Sequence, residues 1–162
     1  MMKILEVKQT NESLAEMVAL FRVELRSYKG IVSKPNMEAG QAEMEEYLSA
    51  KFPVYAALVN DEYAGYVVCR VDSEVVWVES IFVKEEYRRH GVATALHSKA
   101  EEIAASYGDD TVYNYVHPNN HRMIEFLRKR GYTVLNLIEI RKPYQDEKLT
   151  QTITVGEHEF DY

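Results

Sequence analysis

The sequence predicts an α+β fold (mixed α/β), with elements in the order βααβββαβαββ. Two observations carry that reading. Apolar, β-branched runs at 54–59, 63–71 and 75–83 follow one another across short polar turns, the mark of consecutive strands. Elsewhere apolar residues recur every three or four positions, the period of a helix with one buried face. A chain of 162 residues, 46% of them apolar, is the size of one ordinary domain with its own core. The expected organisation is therefore one domain over 1–162, with a core at 3–141 and a C-terminal extension at 142–162.

Met2 to Lys8 reads as the first strand. Leu14, Met17, Val18, Phe21, Leu25 and Tyr28 fall at helical spacing, with Asn11 or Ser13 as the cap. A loop with Pro35 spans Gly30 to Asn36, and a more polar helix is expected from Met37 to Ala50. Val54–Val59 and Tyr63–Val71 form a hairpin around Asn60-Asp61-Glu62. The Asp72-Ser73-Glu74 turn then leads into a strand at Val75–Val83. Val92, Leu96, Ala100, Ile103 and Tyr107 make the apolar stripe of the next helix, which Gly108 ends. A strand at Thr111–Val116, a helix at Asn119–Arg130 and a strand at Thr133–Ile140 follow. The tail from Thr150 to Phe160 is expected to supply a last strand.

Composition excludes several classes. No apolar run approaches the roughly 20 residues that span a bilayer, and Met1 to Thr10 lacks the apolar core of a signal peptide. A net charge of −7 argues against a general nucleic-acid binder, which needs clustered Lys and Arg. Cys69 is the only cysteine, so no intrachain disulfide forms, and a reducing, cytoplasmic location is expected. The five histidines show no metal-ligand spacing, because Pro118 falls between His117 and His121. No metal is expected.

The most informative stretch is Ile81 to Ala93, IFVKEEYRRHGVA. A strand runs into a glycine-containing turn and then a helix. The first N–H groups of a helix have no intrahelical partner, and the dipole adds positive character, so such a turn suits a phosphate group. Arg88-x-x-Gly91-x-Ala93 resembles the [QR]-x-x-G-x-[GA] pyrophosphate loop of the GNAT superfamily of acyl-CoA-dependent N-acetyltransferases. Asn120, Met123, Phe126, Leu127, Gly131 and Tyr132 stand where that family carries N-x-x-A-x-x-F-Y-x-x-x-G-[FY]. The resemblance covers about residues 3–141.

The resemblance implies a GNAT fold, a mixed, mostly antiparallel sheet of six to seven strands with helices on both faces. It also implies that acetyl-CoA is the cosubstrate and a small-molecule or protein amine the acceptor. Pantetheine would lie in an opening between the fourth and fifth strands, along Ile81, Phe82 and Val83. The pyrophosphate would sit at Arg88, Arg89, His90, Gly91, Val92, Ala93 and Thr94, and Asn120 would hydrogen-bond the pantetheine arm or order a water there. Glu79 is the expected base, and strand alternation puts it on one face with Ile81 and Val83, flanked by Trp77. Leu127 replaces the tyrosine that protonates the departing thiolate in many members, so Tyr115 or Tyr113 is the nearest acid by topology, with Tyr115 first. The reading is an N-acetyltransferase acting by direct attack in a ternary complex. The alternative, which Leu127 keeps open, is a catalytically weak acyl-CoA-binding module acting as a sensor or regulatory subunit. The tail beyond Pro143 completes a sheet in its own chain or in a partner's, and a homodimer is the expectation.

Overall fold

A computed structural model describes residues 1–162. The chain falls into two compact units, Met1–His117 and Pro118–Tyr162. The first unit holds β1 (Met2–Glu6), α1 (Glu12–Ser27), α2 (Met37–Ser49), β2 (Val54–Val59), β3 (Glu62–Asp72), β4 (Val75–Val83), α3 (Val92–Ser106) and β5 (Tyr113–Asn114). The second holds α4 (His121–Lys129), β6 (Thr152–Val155) and β7 (His158–Asp161).

The sheet of the first unit runs β1-β2-β3-β4-β5, antiparallel throughout except for the parallel β4–β5 pair. Its hairpins are tight because the turn residues tolerate left-handed backbone. Asn60 and Asp61 (φ 51° and 66°) join β2 to β3, and Ser73 and Glu74 (φ 51° and 67°) join β3 to β4. One face packs on α1 and α2. There Leu14, Met17, Val18 and Met44 bury completely against Tyr66, Val68 and Phe82. Each such aliphatic burial is worth about 1.5–3 kcal/mol. The opposite face takes α3: a Cβ built on Gly65 would meet the Leu96 side chain at 3.1 Å and Val83 at 3.2 Å. The helices α1 and α2 touch almost backbone to backbone, since a Cβ on Gly40 would lie 2.3 Å from the Ala15 carbonyl.

The mixed sheet with helices on both faces is as expected, but the strand inventory is shorter. Its sheet has five strands, not six to seven. The ladder of β5 is confined to Tyr113 and Asn114 rather than Thr111–Val116. Residues 133–140 form no strand, and Val134, Leu135, Leu137, Ile138 and Ile140 are exposed there. β-branched alternation records what a pleated surface favours, while a strand also needs a partner's amides, and no ladder includes this segment. The tail makes two short strands rather than one: β6 and β7 pair with each other around Gly156 (φ 62°).

Candidate active site

The site begins with a defect in β4. Val68 of β3 pairs with Ser80 and Cys69 pairs with Val78, so Glu79 faces no residue of β3 and is the extra residue of a β-bulge. The bulge resets the alternation. Ile81 pairs with Val67, whose side chain shares a face with Cys69, whereas Glu79 reaches Arg70 on the opposite face. The expected common face for Glu79, Ile81 and Val83 is therefore wrong: Glu79 turns to the side of α1 and α2, while Ile81 and Val83 turn to that of α3.

At the same point β4 loses its neighbour. It pairs with β5 only at Trp77–Tyr113 and Val78–Asn114, and beyond Val78 its outer edge is open. The N–H of Lys84 donates to the Ala64 carbonyl at 2.9 Å, so alternation turns Phe82 inward to β3 and Ile81 and Val83 outward. Ile81 and Val83 thus present backbone groups to the open edge. Phe82, expected at the cofactor, instead lies in the core, with its ring centroid 5.9 Å from Phe21 and 6.4 Å from Tyr66. The fully buried His97 of α3 steadies the splay: its Nε2 lies 3.0 Å from Asn114 Oδ1, while Asn114 Nδ2 donates to the Val112 carbonyl.

The open edge leads through a 3-10 turn at Glu85–Tyr87 to the N-terminus of α3. Helices α1, α2 and α4 are each capped by an asparagine side chain, from Asn11, Asn36 and Asn120, and α3 has no side-chain cap. Its first intrahelical bond is Ala95 N–H to the Gly91 carbonyl, so the N–H groups of Val92, Ala93 and Thr94 precede the ladder. Gly91 adopts φ 80°, and nothing lies within 4 Å of where its Cβ would be. Arg89 (φ 63°) and His90 are exposed beside it. This is room for an anion lined with donors.

Arg88 does something else. Its Nε donates to the Val83 carbonyl at 2.9 Å, its Nη2 pairs with Glu24 of α1, and its guanidinium lies 5.7 Å from the Phe82 ring centroid. With a side chain only 19% exposed, it clamps the turn to α1 and to the end of β4. These contacts make it a positioning residue, and the expected contact with an anion is not among them.

On the other side of the bulge, Arg70 Nε lies 3.2 Å from Glu79 Oε2 and Arg70 Nη2 lies 3.4 Å from Tyr115 Oη. The guanidinium stacks 4.2 Å over the Trp77 ring, an attraction of about 0.5–2 kcal/mol. One arginine thus joins the two expected catalytic side chains. Sequence reading missed Arg70 because it sits in a run that is otherwise apolar and β-branched. It also missed the network joining α1 to α2, in which Glu43 accepts from Arg22 Nε at 2.7 Å and from the Tyr47 hydroxyl. Burial, then the Glu43 bond, raises the Tyr47 pKa, and the charge of Glu79 adds to the same shift. The α2 side chain therefore feels the bulge residue. Tyr28, the residue that caps the C-terminus of α1, stacks on His117 past the end of β5, with centroids 6.1 Å apart. A separate cavity near Thr10, Asn11 and Gln41 shares no residue with this site.

The profile of the Acetyltransferase (GNAT) family matches residues 17–132. The chain belongs to this acetyltransferase family. It is 28% identical over 88 residues to a probable N-acetyltransferase of Drosophila melanogaster, a match covering 51% of this chain and 48% of that protein. It therefore spans only about half the length of that relative. Among solved structures, the PaiA N-acetyltransferase of Thermoplasma acidophilum in complex with coenzyme A superposes with a TM-score of 0.67 at 18% identity, over 80% of this chain and 88% of that one. An aminoglycoside N-acetyltransferase in complex with CoA gives 0.63 at 21%, over 88% and 95%. At such identities the two structures show a shared fold. In this GNAT chain Asn120 spends its side-chain oxygen on the N–H of Met123 at 3.1 Å, capping α4. Leu127 is buried in the same helix. No group of three His, Cys, Asp or Glu side chains is placed to hold a metal, and no helix is long and apolar enough to cross a membrane.

Proposed function

We propose that this protein transfers the acetyl group of acetyl-CoA to a primary amine by direct attack in a ternary complex. The observation that carries the reading is the coincidence at one residue. β4 leaves β5, opens its edge toward the donor-lined turn at Gly91, and turns the Glu79 carboxylate to the opposite face, all at the bulge. Residues fit for holding the cosubstrate follow from that: the outward N–H and carbonyl of Ile81 and the outward N–H of Val83 for the pantetheine amides, and the N–H groups around Gly91 to Thr94 for pyrophosphate.

The thioester supplies an acyl group that is already activated, so little is asked of the protein beyond positioning and proton transfer. Glu79 Oε1 has no partner in the chain, while Oε2 is held by Arg70. The free oxygen takes one proton from the acceptor ammonium, the nitrogen lone pair so released forms the new C–N bond as the C–S bond breaks, and the second proton on that nitrogen leaves to water to give the neutral amide. Tyr115 accepts from Arg70 and leaves its own O–H undonated, so it holds a proton for the departing sulfur. At 67% exposed, Tyr115 is also readily re-protonated from water. We place this reaction in the cytoplasm.

Glu79→Gln tests the assignment. Acetyl-CoA binding should persist while turnover of an amine panel, read as free thiol, falls by about 10²–10⁴-fold. Unchanged turnover at neutral pH would remove Glu79 from the mechanism. Tight acetyl-CoA binding by the wild-type protein without thiol release from any amine would favour a sensor over an enzyme.

A further inference from the structure

The acceptor side of the bulge contains a second recognition element. Arg70 spends Nε on Glu79 and Nη2 on Tyr115, and its Nη1 has no partner in the chain. Its side chain is 28% exposed and that of Glu79 31%, so both reach solvent from the same spot. Stacking on Trp77 at 4.2 Å fixes the plane of the guanidinium and hence the direction of the spare donors. Glu79 likewise keeps Oε1 open. An unpaired carboxylate oxygen and an unpaired guanidinium nitrogen therefore both reach solvent from one ion pair. The nearby cation Arg22 is already engaged by Glu43.

We propose that this pair recognises an acceptor whose amine and carboxylate lie on the same or adjacent carbons, an amino acid in the broad sense. Its ammonium meets Glu79 Oε1, and its carboxylate takes the free donors of Arg70. Neither contact requires the Arg70–Glu79 pair to break, so binding aligns the amine on the base while the base stays held. An amine without a carboxylate leaves partly buried Arg70 donors unanswered, and sites built around a hydrogen bond discriminate strongly against substrates that lack it. The proposal rests on the acetyltransferase reading above and adds the chemical class of the acceptor.

The test uses matched pairs, each an amino acid and its decarboxylated amine: phenylalanine with phenethylamine, methionine with 3-(methylthio)propylamine, lysine with cadaverine. The wild-type protein should favour the carboxylate-bearing member of the pairs it accepts by about ten-fold or more in kcat/KM, the scale of a hydrogen bond to a charged group. In Arg70→Met both members lose rate through Glu79, so the readout is their ratio, which should collapse toward one. Retained acetyl-CoA binding by calorimetry shows that the variant is folded. Decarboxylated amines used equally well by the wild type, or a ratio that survives Arg70→Met, overturns the acceptor class and leaves the acetyltransferase reading standing. Absence of turnover with every member of the panel and with a broader amine set overturns that reading itself.

Discussion

Replacing Arg88 by methionine separates two roles that the loop sequence alone cannot. The side chain donates to the Val83 carbonyl, pairs with Glu24 and lies against Phe82, while both members of the ion pair are largely shielded (19% and 28% exposed). A hydrogen bond to a charged group is worth about 1.5–3 kcal/mol, and the substitution removes two of them. Discounting for the exposed fraction, Arg88→Met should cost about 2–4 kcal/mol and lower Tm by on the order of 10 °C. Glu24→Gln, which keeps an acceptor but no charge, should cost about 1 kcal/mol. The two changes share one interaction, so the double variant should be less destabilised than the sum by about 1 kcal/mol. Acetyl-CoA affinity, measured by calorimetry on all four proteins, decides the function. A positioning clamp predicts that Glu24→Gln weakens binding in the same direction as Arg88→Met and non-additively with it. If Glu24→Gln binds as the wild type does while Arg88→Met loses ten-fold or more, Arg88 touches the anion directly and the clamp argument fails.

Gly91→Glu adds left-handed strain of about 1–2 kcal/mol and places a negative charge where pyrophosphate is proposed to sit, so acetyl-CoA affinity should fall by about 100-fold. Affinity within a factor of three of the wild type would remove the turn from the binding site. Tyr115→Phe should slow thiol release by about ten-fold or more; a normal kcat rejects the acid role. Burial pushes the Cys69 thiol up to about 12, so native protein should not react with a disulfide reagent, and one thiol should appear on denaturation. Labelling of native protein would show that β3 opens readily. Burial, then the charge of Lys29, lowers the His117 pKa below its usual 6.5. The folded chain then binds fewer protons than the unfolded one as pH falls below about 6.5, so this group's contribution to stability is complete above that pH and is lost below it. Denaturant titrations of His117→Asn should show a shallower acid loss, and an identical pH dependence would remove His117 as its source.

What was legible in the sequence had a local cause. Asn11 as a cap, the turn at Asn60-Asp61 and the Val92, Leu96 and Ala100 part of the expected stripe each follow from one residue's conformational preference or one helical period, and each is found, whereas Tyr107 at the stripe's end is exposed. The turn at Gly91 belongs to the same group, since a left-handed glycine before an uncapped helix is a local arrangement. Failures came where the outcome depends on a partner strand or on register. Residues 133–140 alternate like a strand but enter no ladder, and the Glu79 bulge is invisible from β4 alone because it exists only relative to β3. One unpaired residue there moved Glu79 to the other face. Arg70 was unreadable for a related reason: its role lies in two contacts, one nine residues and one 45 residues away along the chain.

In the proposed reaction the same bulge lets cosubstrate and acceptor chemistry sit back to back without a dedicated loop. A regular β4 would keep the side chain at 79 on the α3 face, with Ile81 and Val83, where a carboxylate would oppose an anionic cosubstrate. The extra residue sends the carboxylate toward α1 and α2, while the outward amides of Ile81 and Val83 stay on the open edge. Charge is thereby sorted by face. In the proposed reaction the negative side chain faces the cationic amine, and uncharged backbone donors with the α3 N-terminus face the cosubstrate. Arg70 and Arg88 then hold the two halves, one gripping Glu79 above the bulge and the other gripping the Val83 carbonyl below it. Both arginines hold β4, and only Arg70 keeps a nitrogen, Nη1, for the proposed acceptor carboxylate. Loss of Arg88 should therefore alter geometry first and charge second, which the paired variants at Glu24 measure, while the amine–acid ratios at Arg70 read a direct contact.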